Sequence, residues 1–380
     1  MQSAQADFAL FQRRIHSLGW GSAALGRIGP HWTALERTGP HWGRSPDAFE
    51  TEQGDCVEDS IPGLRDAYRG GTLARDDYWR RMQAHHRAVA GYASLVDGDG
   101  PLHHVELHGD GARLVLRNGL VFAWDPEEIR TATSVLVNDG EYEAEERAVL
   151  LRLARGCRSV LDIGANVGWY ALHLAQAVAA EGGSVVALEP VPATYAALRR
   201  NLALNLDLAA SVRTYQTGLG AEAGTVEFFI PAFQGSAAAS QSKLFPGDEN
   251  RAVEVRVERL DDWAPREGIP DPDLLKCDVE GAELFVLRGG ERTIARARPV
   301  IMLEMLRKWA AKFHYHPDAI TELLAGHGYA GWYVEDGTLR RLERMGDDVA
   351  AVNFFFLHTE RHAESLAGLR EGLALEEWLR

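Results

Sequence analysis

The stretch Val160-Leu161-Asp162-Ile163-Gly164-Ala165-Asn166-Val167-Gly168-Trp169-Tyr170 decides how this chain is read. An apolar strand runs into a glycine-bearing turn, and the turn into a helix expected from about Trp169 to Ala180. A turn this tight needs residues without a bulky Cβ, and it lets backbone N–H groups and a helix N-terminus approach a polar ligand. Gly164 and Gly168 meet that need. The spacing is G-x-N-x-G, which departs from the G-x-G-x-x-G that folds around a pyrophosphate. Asp162 places a carboxylate at the strand end, which suits the cationic end of a ligand and suits a pyrophosphate badly. Asp162, with Asn166 where a middle glycine would stand, therefore speaks against a nicotinamide-dependent oxidoreductase.

Outward from this turn the texture alternates strand with helix, which predicts a mostly parallel sheet covered on both faces. Seven strands are expected, near Ser159–Ile163, Ser184–Leu188, Val212–Gln216, Leu274–Cys277, Pro299–Glu304, Tyr329–Val334 and Val352–Leu357, the last free to sit antiparallel beside the sixth. Thr225–Ile230 and Ala252–Glu258 read as an inserted hairpin. Twenty-one residues after Gly168, Glu189 ends the second strand, where an acid in a doubly wound sheet hydrogen-bonds a ribose diol. Alone it reads equally as a solvated loop residue; with Asp162 and the glycine turn upstream it points to a nucleoside site. At the carboxyl end of the fourth strand, Lys276-Cys277-Asp278-Val279-Glu280-Gly281-Ala282-Glu283 gathers three carboxylates and a lysine where open α/β sheets put their active sites. The plainer alternative pairs Lys276 with one acid, turns Glu283 to solvent and leaves only Asp278 to meet a ligand. Glu304 ends the fifth strand beside the same cleft.

The other half is less telling. Residues 1 to about 75 are rich in Gly, Pro and Trp and read as irregular, with a near-duplicate at Gly29-Pro30-His31-Trp32 and Gly39-Pro40-His41-Trp42. A helix is expected from Asp76 to about Ser94, then two consecutive hairpins through Val105–Leu107, Arg113–Leu116 and Leu120–Trp124. This divides the chain into an appendage at 1–135, a catalytic domain at 136–360 and a helical tail at 361–380. A net charge of −15 argues against a broad grip on nucleic acid. Cys56, Cys157 and Cys277 are scattered without metal-ligand spacing, and no stretch has the apolar length of a membrane span. A cytoplasmic protein is the expectation, and the sequence leaves room for a homo-oligomer.

Through Asp162–Gly168, Glu189-Pro190, Asn201 with Asn205, Lys276–Glu283 and Glu304, the chain resembles the FkbM family of S-adenosylmethionine (SAM)-dependent methyltransferases. The resemblance covers roughly Gly140 to Leu357. It implies a class I, Rossmann-like fold, SAM as methyl donor, and a hydroxyl acceptor on a small molecule, sugar, glycan or natural product. Two departures stand out: Cys277 replaces a usually aliphatic residue, and the first 130 residues match no known pattern. On this reading Asp162, Gly164, Asn166, Gly168, Glu189, Glu143 and Asp278 bind the cofactor. Asp278 is the first choice of general base and Glu280 the second, with Lys276 tuning them; His314 and His316 are alternates that read more simply as loop residues. Asp278 with Glu280 or Glu304 could hold Mg²⁺, which the resemblance does not demand. Tyr142 and Glu143 either close over the methionine end of SAM or simply open a helix. Trp32, Trp42 and Trp79 could stack on a saccharide, although buried packing is the commoner use of Trp. A non-catalytic SAM-binding protein remains the competing reading; it would dispense with Asp278.

Overall fold

The computed structural model describes residues 59–96, 98–231, 239–240, 250–369 and 372–379. The chain divides into two units, with the boundary between Gly98 and Asp99. In the first, a helix spans Ile61–Arg69, where irregular structure is expected from composition. Ser60 caps it, its Oγ accepting from Gly63 N–H at 3.1 Å, and Pro62 fits the first turn, which has no use for its missing N–H. A second helix, Arg75–Gly91, continues into a 3₁₀ turn at Tyr92–Leu95 and matches the expected span. Trp79 on this helix is 51% exposed, so it is not a core residue. Trp32, Trp42 and Cys56 lie outside the described residues.

The second unit opens with a three-stranded meander: β1 (Leu102–His108), β2 (Gly111–Leu116) and β3 (Val121–Trp124). Its outer edge would expose unpaired backbone groups. Two asparagines on the helix Pro192–Leu204 and its C-cap cover it. Asn205 accepts from Val121 N–H at 2.9 Å and donates to Val121 O at 2.7 Å, and Asn201 accepts from Ala123 N–H at 2.8 Å. The meander is thus built into the second unit, which moves the boundary from near residue 135 to residues 98–99.

Among the described residues the main sheet holds nine strands rather than seven. The parallel set is β4 (Ser159–Ile163), β5 (Ser184–Leu188), β6 (Val212–Tyr215), β10 (Leu274–Cys277) and β11 (Val300–Glu304), and the far side is β12 (Tyr329–Glu335), β13 (Thr338–Leu342), β14 (Asn353–His358) and β15 (Leu373–Ala374). From one edge the order is β6-β5-β4-β10-β11-β14-β12-β13-β15, with β14 antiparallel to both β11 and β12. All seven expected strands are present. The additions come from a turn at Asp336-Gly337, both residues at positive φ, that folds β13 back on β12, and from the tail, which adds β15 before its short helix Leu375–Leu379. The insertion is an antiparallel pair, β8 (Gly224–Pro231) with β9 (Asn250–Glu258), joined by β7 (Gly218–Leu219) in a small separate sheet.

Strands β4, β10 and most of β5 and β11 are buried along their length, as strands covered on both faces must be. Leu161, Ile163, Leu275, Cys277, Ile301 and Leu303 share one core with Trp263, Leu287 and Leu324. Cys277, fully buried there, simply fills a place an aliphatic side chain would fill. The opposite faces of β4 and β10 carry Asp162 and Lys276, paired across the parallel ladder. Among the described residues no helix is long and apolar enough to cross a membrane.

Candidate functional site

The turn after β4 is built as its residue types require. Gly164, Asn166 and Gly168 all have positive φ, at 75°, 51° and 89°. A Cβ on Gly164 would stand 1.8 Å from Asp278 O, so only glycine lets the two loops approach. The N–H groups of this turn are not offered to a ligand, contrary to the expectation from the sequence. Gly164 and Ala165 N–H both donate to Leu188 O, at 3.0 and 2.9 Å, and Val167 N–H donates to Asn166 Oδ1 at 2.7 Å. Asn166 N–H donates to Glu189 Oε2 at 3.0 Å. The turn therefore presents acids rather than amides, which disfavours a phosphate.

Asp162 is wholly buried, and neither carboxylate oxygen has a well-formed hydrogen bond among the described residues, the Ala171 N–H and the Lys276 ammonium giving only weak support. Its nearest charge is Lys276 Nζ, 3.6 Å away. Burial outweighs that ammonium and raises the Asp162 carboxyl above its ordinary value. A buried carboxylate so poorly supplied with hydrogen bonds is costly, so this position fits a ligand that brings a cation or N–H donors. Glu189 is also buried, accepts from Val191 N–H at 2.9 Å as well as from Asn166, and is pushed up by burial to about 7.

Lys276 joins the two halves of the site. Its ammonium donates to Gly164 O at 3.1 Å and to Asp278 Oδ2 at 3.2 Å, and lies 5.3 Å from the centre of the Tyr170 ring. Burial works against its charge, but the carboxylates of Asp278, Asp162 and Glu143 outweigh burial and hold the ammonium above the usual lysine range. Asp278 is the more open partner, with 29% of its side chain exposed against 4% for Lys276. Glu280 follows in the left-handed region at φ 54°, and burial and then Asp278 push its carboxyl up to about 8. Burial and the neighbouring Asp278 and Glu280 also raise Glu304 well above a normal glutamate.

Glu283 does not face solvent. It is 1% exposed and accepts from Val279 N–H at 3.0 Å and Gly281 N–H at 3.1 Å. Tyr315 OH donates to Gly281 O at 2.9 Å, and Ser240 Oγ to Glu280 O at 3.1 Å. The loop bearing Asp278 and Glu280 is thus braced on several sides. His314 and His316 are both exposed, and His316 pairs with Asp318 at 3.2 Å, which fits loop residues. Among the described residues no three His, Cys, Asp or Glu side chains form a set able to hold a metal ion.

Glu143 caps the helix Ala144–Leu153 at φ 45° and accepts from Tyr170 OH at 2.5 Å and from Asn353 Nδ2 at 2.9 Å. Tyr142 packs edge-on against Trp169, 5.7 Å between ring centres. The sequence reading missed Tyr170 and Asn353 as partners of this acid.

The strand order gives a Rossmann-like α/β fold, with the acid-bearing turn after β4, the acid ending β5 and the Lys276–Asp278 loop after β10 gathered at the carboxyl ends of its parallel strands. The model of the methyltransferase FkbM domain matches residues 162–330. The 31-O-demethyl-FK506 methyltransferase FkbM of Streptomyces tacrolimicus is 32% identical over 203 residues, 45% of this chain and 72% of that protein. This chain belongs to the FkbM methyltransferase family. Methyltransferase sdnD of Sordaria araneosa is 33% identical over 161 residues, covering 34% of this chain and 59% of its own length. The 2-O-methyltransferase NoeI of Sinorhizobium fredii is 28% identical over 151 residues, 37% of this chain and 60% of that protein. The match to these two thus spans less than two thirds of either.

Proposed function

We propose that this chain is a SAM-dependent O-methyltransferase acting on a hydroxyl of a small molecule, sugar, glycan or natural product. One observation carries the reading: Lys276 binds the closed, donor-poor cofactor side of the site at Gly164 and Asp162 to the more open Asp278, just past the end of its strand. Two relatives whose names specify O-methylation, NoeI and FkbM, support the hydroxyl acceptor.

Bound SAM supplies an activated methyl group on a sulfonium centre. Asp162 and Glu143 complement positive charge, Glu189 stands at the strand end that reads a ribose diol, and Gly164 and Gly168 keep the cradle narrow. The acceptor oxygen needs to be held about 3 Å from the methyl carbon and in line with the breaking bond. Asp278 takes the hydroxyl proton as the new C–O bond forms, a contribution of roughly two to four powers of ten. Lys276, bonded to Asp278 at 3.2 Å, orients that carboxylate. Glu280, largely protonated near neutral pH, is the second candidate and becomes competent as pH rises past about 8. The net charge of −15 favours a small-molecule or saccharide acceptor over nucleic acid.

The test is incubation with SAM labelled with ¹³C at its methyl carbon and a panel of polyhydroxylated acceptors. Label recovered in a methyl ether is the expected result; label found on nitrogen or carboxylate would contradict the hydroxyl assignment. Asp278→Asn is expected to lower turnover about 100-fold or more.

A further inference from the structure

Tyr170 touches both halves of the site with different parts of one side chain. Its hydroxyl donates to Glu143 Oε2 at 2.5 Å, and its ring face lies beneath Lys276 Nζ at 5.3 Å. It is 4% exposed, on the first turn of the helix that follows the glycine turn. Glu143 is fixed from the other side by Asn353 Nδ2 on β14 at 2.9 Å, and Lys276 goes on to Asp278 at 3.2 Å. A continuous chain of contacts therefore runs Asn353–Glu143–Tyr170–Lys276–Asp278.

We propose that Tyr170 is a positioning residue that sets the cofactor acid Glu143 through its hydroxyl and the base-holding cation Lys276 through its ring. The inference rests on the reading of Glu143 as a ligand of the cofactor's methionine end. The hydroxyl fixes one Glu143 oxygen, on a residue held in the left-handed region at φ 45°. The ring gives Lys276 a cation–π surface where water is excluded.

Both contacts act on charge, so pH separates them from simple packing. Burial raises the Glu143 carboxyl, and the hydrogen bonds from Tyr170 and Asn353 hold it down. Asp278, Glu146 and Glu304 oppose its ionisation, Lys276 and Arg147 favour it, and the phenols of Tyr142 and Tyr170 also face it. Removing the Tyr170 hydroxyl withdraws one of the two hydrogen bonds that stabilise the carboxylate. Binding of an ammonium-bearing ligand, which needs that carboxylate ionised, must then require a higher pH.

The experiment is calorimetric titration of the full chain with S-adenosylhomocysteine from pH 5.5 to 8.5, in wild type, Tyr170→Phe and Tyr170→Leu, with thermal melting to establish folding. Phe keeps the ring and is expected to weaken binding about five- to twentyfold at pH 6.5, less at pH 8.5, with the midpoint of the pH dependence moved upward. Leu loses the ring as well and is expected to bind more weakly than Phe at every pH. Tyr170→Phe with wild-type affinity and an unmoved midpoint would overturn the proposal, as would a uniform loss with no shift. If Leu proves insoluble, Phe alone decides the hydroxyl half and Tyr170→Trp, which keeps an aromatic face without the phenol, decides the ring half. Wild type failing to bind would instead sink the cofactor reading on which the proposal stands.

Discussion

Lys276 stands directly opposite Asp162 in the parallel pairing of β10 with β4, so the cation of one motif and the acid of the other share one face of the sheet. Two motifs 114 residues apart become one site by register alone. Removing this cation leaves Asp162, Asp278 and Glu143 facing one another with little water between them. Lys276→Met is expected to destabilise the fold by about 3–5 kcal/mol, the usual effect of orphaning a buried charge. Urea unfolding at pH 7.5 measures it, and a change below about 1 kcal/mol would show that the ammonium does not hold these acids.

Gly164 and Gly168 differ in what surrounds them. A Cβ at 164 meets the backbone oxygen of Asp278 at 1.8 Å, whereas at 168 it meets the tip of the Leu198 side chain at 2.6 Å, which can turn away. Both residues have positive φ, so both substitutions carry strain of about 1 kcal/mol. Gly164→Ala is expected to abolish S-adenosylhomocysteine binding by pushing the Asp278 loop outward. Gly168→Ala is expected to retain measurable binding, weakened by about tenfold or less, equivalent to about 1.4 kcal/mol. Equal effects would contradict the geometry.

Asn201 and Asn205 act on the meander rather than on a ligand. Asn205→Ala leaves Val121 N–H and O without their partner and removes the bond to Asn201 O, at an expected 1–3 kcal/mol. The local signature is faster amide exchange at Val121, measured by hydrogen–deuterium exchange. Exchange unchanged in the variant would show that another group protects that edge.

The pH dependence of stability follows from groups that pull in opposite directions. Glu283 is pushed up to about 7 by burial from an ordinary 4.5, so its native form stays protonated while the unfolded form ionises. Its contribution is fully present below pH 4.5 and is lost as pH rises through 7. Buried His173 and half-buried His362, lowered to about 4 by desolvation, do the reverse: stability falls as pH drops from 6.5 through 4. Glu283→Gln keeps a carbonyl oxygen for Val279 and Gly281 N–H but cannot ionise. Relative to wild type it is expected to gain about 2 kcal/mol between pH 5 and pH 8, read from denaturation curves at both. A constant difference across that range would contradict a raised Glu283.

The glycine turn, the acid ending β5 and the Lys276 cluster were legible because each is local: a few residues in a row fix the backbone and aim the side chain. Seven of the nine strands of the main sheet were legible for the same reason. Tyr170 and Asn353 were not, because their partner Glu143 lies 27 and 210 residues away, and no short-range pattern reports such a meeting. Ligand-facing amides in the glycine turn were expected from its tightness alone; Leu188 O and the side chains of Glu189 and Asn166 had already taken them. Two misses had local signals that composition obscured. Ser60 followed by Ile61-Pro62 is a helix start inside a Gly- and Pro-rich stretch, and Asp336-Gly337 is a two-residue hairpin turn that announces β13.

The most direct test of the central claim is calorimetric titration of the purified chain with S-adenosylhomocysteine and, separately, with NAD⁺, in wild type and Asp162→Ala. Saturable binding of the homocysteine form, lost or weakened at least a hundredfold in the variant, with no heat from NAD⁺, is the predicted result. Binding of NAD⁺ alone, or homocysteine-form binding indifferent to Asp162, would contradict it.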